Sequence, residues 1–90
     1  MIYPFMRLED NTEITHTEML TDGRVKVYVE TPDAKDCFHS LVCWLPSYQI
    51  EDVRGYSDKE VEKYVEFIQK AAYLIMEFAQ EGGFEHASAV

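Results

Sequence analysis

Apolar and polar positions alternate through the first half of the chain and then recur at spacings of three and four. Ile2 to Glu9 sets Ile2, Met6 and Leu8 on one side and Tyr3 and Phe5 on the other, as a strand does. Pro4 within it withholds a ladder donor and favours a sheet edge. After a turn at Asp10-Asn11, Glu13 to Leu20 is a second strand and Arg24 to Glu30 a third, where Val25, Val27 and Val29 alternate with Lys26, Tyr28 and Glu30. Asp22-Gly23 between them signals a two-residue hairpin turn with positive φ at both central positions. Such a turn sets Leu20 opposite Val25, Glu18 opposite Val27 and His16 opposite Val29, so that His16 and Glu18 share the valine side. A three-residue loop with a bulge would instead turn Thr15 and Thr17 inward.

The loop Pro32 to Asp36 leads to a fourth strand within Cys37-Phe-His-Ser-Leu-Val-Cys-Trp-Leu-Pro-Ser-Tyr48. Phe38, Val42 and Trp44 fall on one face, Leu41, Cys43 and Leu45 on the other. A strand apolar on both faces needs two covers. Pro46 to Tyr56 reads as an irregular connection, and Ser57-Asp-Lys-Glu60 as a capping box that opens a helix. Val61, Tyr64, Val65, Ile68, Ala72, Ile75 and Ala79 form its apolar stripe, while Glu62, Lys63, Glu66, Gln69, Lys70, Glu77 and Gln80 form its wet side. Gly82-Gly83 ends it, and residues 84–90 read as a flexible tail.

Phe67, Ala71, Leu74 and Phe78 make a second apolar stripe beside the first. A helix of about 36 Å also outruns strands of roughly 27 Å, so its last turns are expected to overhang the sheet. Either the first strand, with Tyr3 and Phe5, covers this stripe, or another chain does. The pattern as a whole predicts one α+β domain over residues 1–83: a four-stranded antiparallel meander packed on one face by a long C-terminal helix.

Composition narrows the function classes. Ninety residues support a single core, and 47% apolar residues suffice to build it. Seventeen acidic against eight basic residues give a formal charge of -9, which repels nucleic acid backbones and anionic membranes. No segment reaches the roughly 20 apolar residues that span a bilayer, and the start carries no basic leader. A cytoplasmic protein with reduced thiols is the expectation, without direct contact to nucleic acid or membrane.

Cys37, His39 and Cys43 are residue types that zinc favours, but along one strand His39 and Cys43 lie roughly 13 Å apart and the two cysteines about 20 Å. That excludes a shared ion and a disulfide within the strand. A mixed site of Cys37, His39 and the His16 or Glu18 of a neighbouring strand is the remaining metal or thiol arrangement. His39 beside Cys37 is a pair without an orienting third group or an oxyanion cradle, and no glycine loop for phosphate is present. Neither a catalytic set nor a cofactor is therefore expected. Acidic residues grouped at Glu9, Asp10 and Glu13 and at Glu51 and Asp52 suit a basic partner.

The apolar-Pro step Leu45-Pro46, the gap to Gly55-Tyr-Ser57 and the helix opening Asp-Lys-Glu60-Val61 resemble the core of HicB-type antitoxin domains, and the early Tyr3-Pro4 is similar to the start of such chains. The likeness spans about residues 38–80. Ser47-Tyr-Gln-Ile-Glu51 replaces the Asp-Leu-x-Gly-Cys loop of those domains, a hairpin is added before the strand, and no DNA-binding segment follows the helix. The resemblance implies a degenerate RNase H-like sheet and helix without catalytic carboxylates, oligomeric and bound to a small basic toxin.

The sequence thus reads as a small acidic non-enzymatic interaction module, antitoxin-like, acting as a homodimer or on a small basic partner. Phe67, Leu74, Phe78 and Trp44 are its expected anchors. The competing reading is a metal- or thiol-dependent protein using Cys37, His39 and His16.

Overall fold

In the computed structural model, which describes residues 1–35 and 37–81, five strands precede one helix. They are β1 (Ile2–Arg7), β2 (Glu13–Thr17), β3 (Val25–Asp33), β4 (Cys37–Leu45), β5 (Gln49–Arg54) and α1 (Asp58–Gln80). The strands form one antiparallel meander in chain order, so β3 is the central strand and β1 and β5 are the edges. The α+β class and the C-terminal helix are as the pattern predicts. The Gly82-Gly83 cap and the 84–90 tail lie outside the described residues.

The sheet has five strands, one more than the alternation predicts. Gln49–Arg54 pairs with β4 in the segment that reads as an irregular connection. Its sequence hides it for two physical reasons. As an edge strand it is mostly wet, and its partly covered Ile50 sits opposite Cys43. A register slip opposite Leu41, with Asp52 at φ 52°, then inserts an extra residue and destroys period-two alternation.

The β2–β3 connection also departs from the two-residue expectation. Leu20 donates to the Arg24 carbonyl at 2.8 Å, and its own carbonyl accepts from Gly23 at 2.9 Å, around a three-residue turn with Gly23 at φ 84°. A second slip follows. The Thr17 hydroxyl accepts from Lys26 N at 3.2 Å, and the regular ladder pairs His16 with Val27 and Ile14 with Val29. Each slip alone would reverse the faces; together they restore parity. His16 therefore stays on the valine side, two residues from its expected partner, while Glu18 falls beyond the ladder.

The core lies between α1 and one sheet face. Ile14, Val25, Val27, Val29, Leu41, Cys43 and Leu45 meet Tyr64, Ile68, Ile75 and Ala79 of the helix. The capping box forms as predicted: Glu60 N donates to Ser57 Oγ at 3.2 Å, and Ser57 N donates to Glu60 Oε1 at 2.9 Å. At the other end, Met19 N donates to the Ala79 carbonyl at 3.2 Å. The segment leaving β2 thus closes under the last helical turn that strand length alone would leave overhanging.

Candidate interaction surface

The second sheet face carries no helix among the described residues, and the register arranges it as a grid. Lys26, Trp44 and Gln49 form one row, which the bond from Lys26 N to the Thr17 hydroxyl links to the pair Thr17 and Ile2. Pro4, Thr15, Tyr28, Val42 and Glu51 form the next, and Arg7, Glu13, Glu30, Ser40 and Arg54 a third. Pro32 and Phe38 pair beyond them. Val42 is 7% exposed, whereas Phe38 is 57% exposed.

Cations take the place of a second layer. The Arg24 guanidinium lies 4.5 Å from the Trp44 ring centre, and Lys26 Nζ stands 5.2 Å from Tyr28 and 5.6 Å from Trp44. Stacked on aromatic faces, these groups cover carbon while remaining wet. Arg24 is also held by Asp22, its Nε 2.7 Å from Oδ2. At the opposite end Glu13 and Glu30 stand in one row with Arg7 and Arg54, and Arg7 is paired to Glu13. There a shallow cavity of about 380 Å³ is lined by Arg7, Asn11, Glu13, Glu30, Pro32 and Phe38.

Of the anchors expected from sequence, Trp44 lies on this face. Phe67, Leu74 and Phe78 are half-buried on α1. Phe78 meets Phe5 with ring centres 6.1 Å apart, and Phe67 packs against the core, so β1 and the core take up part of the second helical stripe.

His16, Cys37 and His39 are not brought together. His16 shares a row with Val27 and Cys43, and His39 a row with Thr31. That separation is about 13 Å along the strands and about 10 Å across them. Cys37 is exposed at the start of β4, with φ 67°, and Cys43 is buried in the core. Burial pushes the Cys43 thiol up to about 11, which keeps it protonated at neutral pH. Among the described residues, no group of three or more His, Cys, Asp or Glu is placed to hold a metal ion.

The sequence reading missed a line of polar contacts at the helix N-terminus. Tyr56 and Thr31 hydroxyls are 2.7 Å apart, Thr31 and Thr12 2.6 Å, and Thr12 and Tyr64 3.1 Å; Tyr64 then donates to Asp10 Oδ2 at 3.0 Å. A carboxylate only accepts, so the protons run in one direction from Tyr56 to Asp10: Tyr56 donates, and Thr31, Thr12 and Tyr64 each accept one bond and donate one. Thr12, fully buried, is satisfied inside this chain. The arrangement ties the starts of β2 and α1 to the end of β3. Sequence pattern could not reveal it, because the four hydroxyls come from separate elements.

Hydrogen bonding from Thr12, reinforced by the Tyr64 hydroxyl and by Lys63 at 3.6 Å, holds the Asp10 carboxyl at about 2. Its ordinary value is 3.8, so the stability it contributes is fully present above about pH 4 and is lost as pH falls toward 2. Asp10→Asn should lower stability at neutral pH and show a shallower loss between about pH 4 and about pH 2 than the parent chain, measured by urea unfolding across that range.

The molecule is thus an α+β domain in which one helix covers one face of a five-stranded antiparallel meander. Comparison with protein-family models, with curated proteins and with solved structures returns no significant match. No helix among the described residues is long and apolar enough to cross a membrane.

Proposed function

We propose that this chain is a non-catalytic protein-interaction module that docks through its uncovered sheet face. The observation that carries this reading is the layer of Trp44, Tyr28 and Val42 at the centre of an otherwise well-covered sheet, overlaid by cations in place of a structural element. An apolar patch rimmed by polar groups on a small domain marks a binding surface. The module is antitoxin-like in the sense its sequence suggests. With a net charge of -9 and a helix exterior carrying Glu62, Glu66 and Glu77, it suits a small basic protein as a partner away from the sheet.

Hydroxyl-radical footprinting tests this reading. Trp44, Tyr28 and Phe38 should oxidise several-fold less in native extract or at high protein concentration than in dilute purified protein. Equal oxidation under all conditions overturns the reading. Tyr73, 69% exposed on the helix, reports the other surface; salt-sensitive protection there is the expected signature of the basic partner.

A further inference from the structure

We infer that the occupant of the open sheet face is a second copy of this chain, packed face to face about a two-fold axis through Tyr28 of the central strand. The inference rests on the docking role proposed for this face and adds its partner and geometry. Two sheets stacked by a two-fold axis lying between them, perpendicular to the strands, keep each strand over its own equivalent and reverse its direction. Rows equidistant from the axis then face each other.

On β3, Lys26 and Glu30 flank Tyr28 at two residues on either side, roughly 7 Å away each along the strand. The axis therefore sets Lys26 of each copy over Glu30 of the other and brings Tyr28 and Val42 against their own counterparts. Opposed sheets lie about 10 Å apart, a gap that lysine and glutamate span together.

On the other strands the same axis sets Arg7 over Ile2, Glu13 over Thr17, Ser40 over Trp44 and Arg54 over Gln49, each charge against an uncharged group, while Glu51 at the β5 edge meets its own counterpart. The self-complementary charges are Lys26 and Glu30 of the central strand, since Arg24 is paired with Asp22 and Glu13 with Arg7. An isologous interface requires this self-complementarity, because each patch must meet its own rotated image. A parallel stacking would set lysine on lysine instead. The patch measures about 24 Å across five strands and about 26 Å from Arg24 to Pro32, hence about 600 Å² per copy. Both copies together reach about 1,200 Å², the lower bound for a specific interface, so a dimer of moderate affinity is expected.

Reciprocal charge exchange provides the test. Sedimentation velocity from about 5 µM to about 500 µM should show the parent chain passing from monomer to dimer. Lys26→Glu alone and Glu30→Lys alone each create two like-charged contacts per dimer and should weaken association at least about tenfold. The Lys26→Glu/Glu30→Lys double variant exchanges the two ends and should restore association to near the parent value. Circular dichroism and thermal melting verify that all variants fold, and emission from Trp44, the single tryptophan, should shift to shorter wavelength on dimerisation in the parent and the double variant only.

A parent chain that stays monomeric throughout overturns the inference, as does a dimer indifferent to the single exchanges or one that the double variant fails to restore. If the chain is monomeric yet its sheet face is protected in extract, the docking role stands and the second copy falls. If it is monomeric and unprotected, both fall.

Discussion

Ile68→Ala should cost about 2–5 kcal/mol and produce the largest loss of stability of any substitution considered for this chain. Ile68 is fully buried where the helix stripe meets the valine face of the sheet. Removing three carbons there loses their transfer free energy and leaves a cavity between two rigid layers that collapse only partly. A domain of this size is stable by roughly 5–10 kcal/mol, and its melting temperature moves by roughly 5 °C per kcal/mol. The midpoint should therefore fall by about 10–25 °C, as calorimetry would show. Trp44→Ser, on the opposite face and only partly buried, should lower it much less. Equal losses at the two positions would mean that the open face serves folding rather than docking.

Gly55→Ala should cost about 2–4 kcal/mol through a different mechanism. Gly55 sits at φ 83°, where a side chain is strained, and a β-carbon added there would lie 2.2 Å from His39 Cδ2. The His39 ring cannot retreat freely. It stands edge-on to Tyr56, with centres 5.6 Å apart, and its Nε2 lies 3.5 Å from Asp33 Oδ2. Displacing it disturbs Tyr56, the first donor of the hydroxyl chain that ends at Asp10. In a double-mutant cycle with His39→Ala, the cost of Gly55→Ala should shrink to the backbone part, about 1–2 kcal/mol. Additive costs would show that the clash is relieved some other way.

These expectations assign separate tasks to the two sheet faces. One is sealed by α1 and sets stability; the other leaves aromatic carbon under arginine and lysine and is available for docking. His39, by residue type a candidate ligand or base, packs against Gly55 and Tyr56, while Cys43 is a core residue with a protonated thiol. The separation of His16 from His39 follows from the meander itself, because β3 lies between their strands.

Much of this fold is legible in the chain, since strong local signals act within a few residues. The valine alternation of β3, the doubly apolar β4, the Ser57–Glu60 capping box and the helix stripe each follow from backbone period and capping chemistry, and together they determine the α+β class and the helix that seals one face. Trp44 and Val42 sharing the other face is likewise a matter of period. Tertiary structure decided the remainder. β5 exists because β4 offers an unpaired edge to a segment whose own pattern is broken by a bulge. The position of His16 depends on two successive slips in the same direction, one made by the Gly23 turn and the other where Met19 leaves the sheet to bond Ala79. The chain of hydroxyls from Tyr56 to Asp10 joins residues up to 54 positions apart. Each of these rests on groups that meet only after folding, so no local period encodes them, whereas an element's own repeat is present before any contact is made.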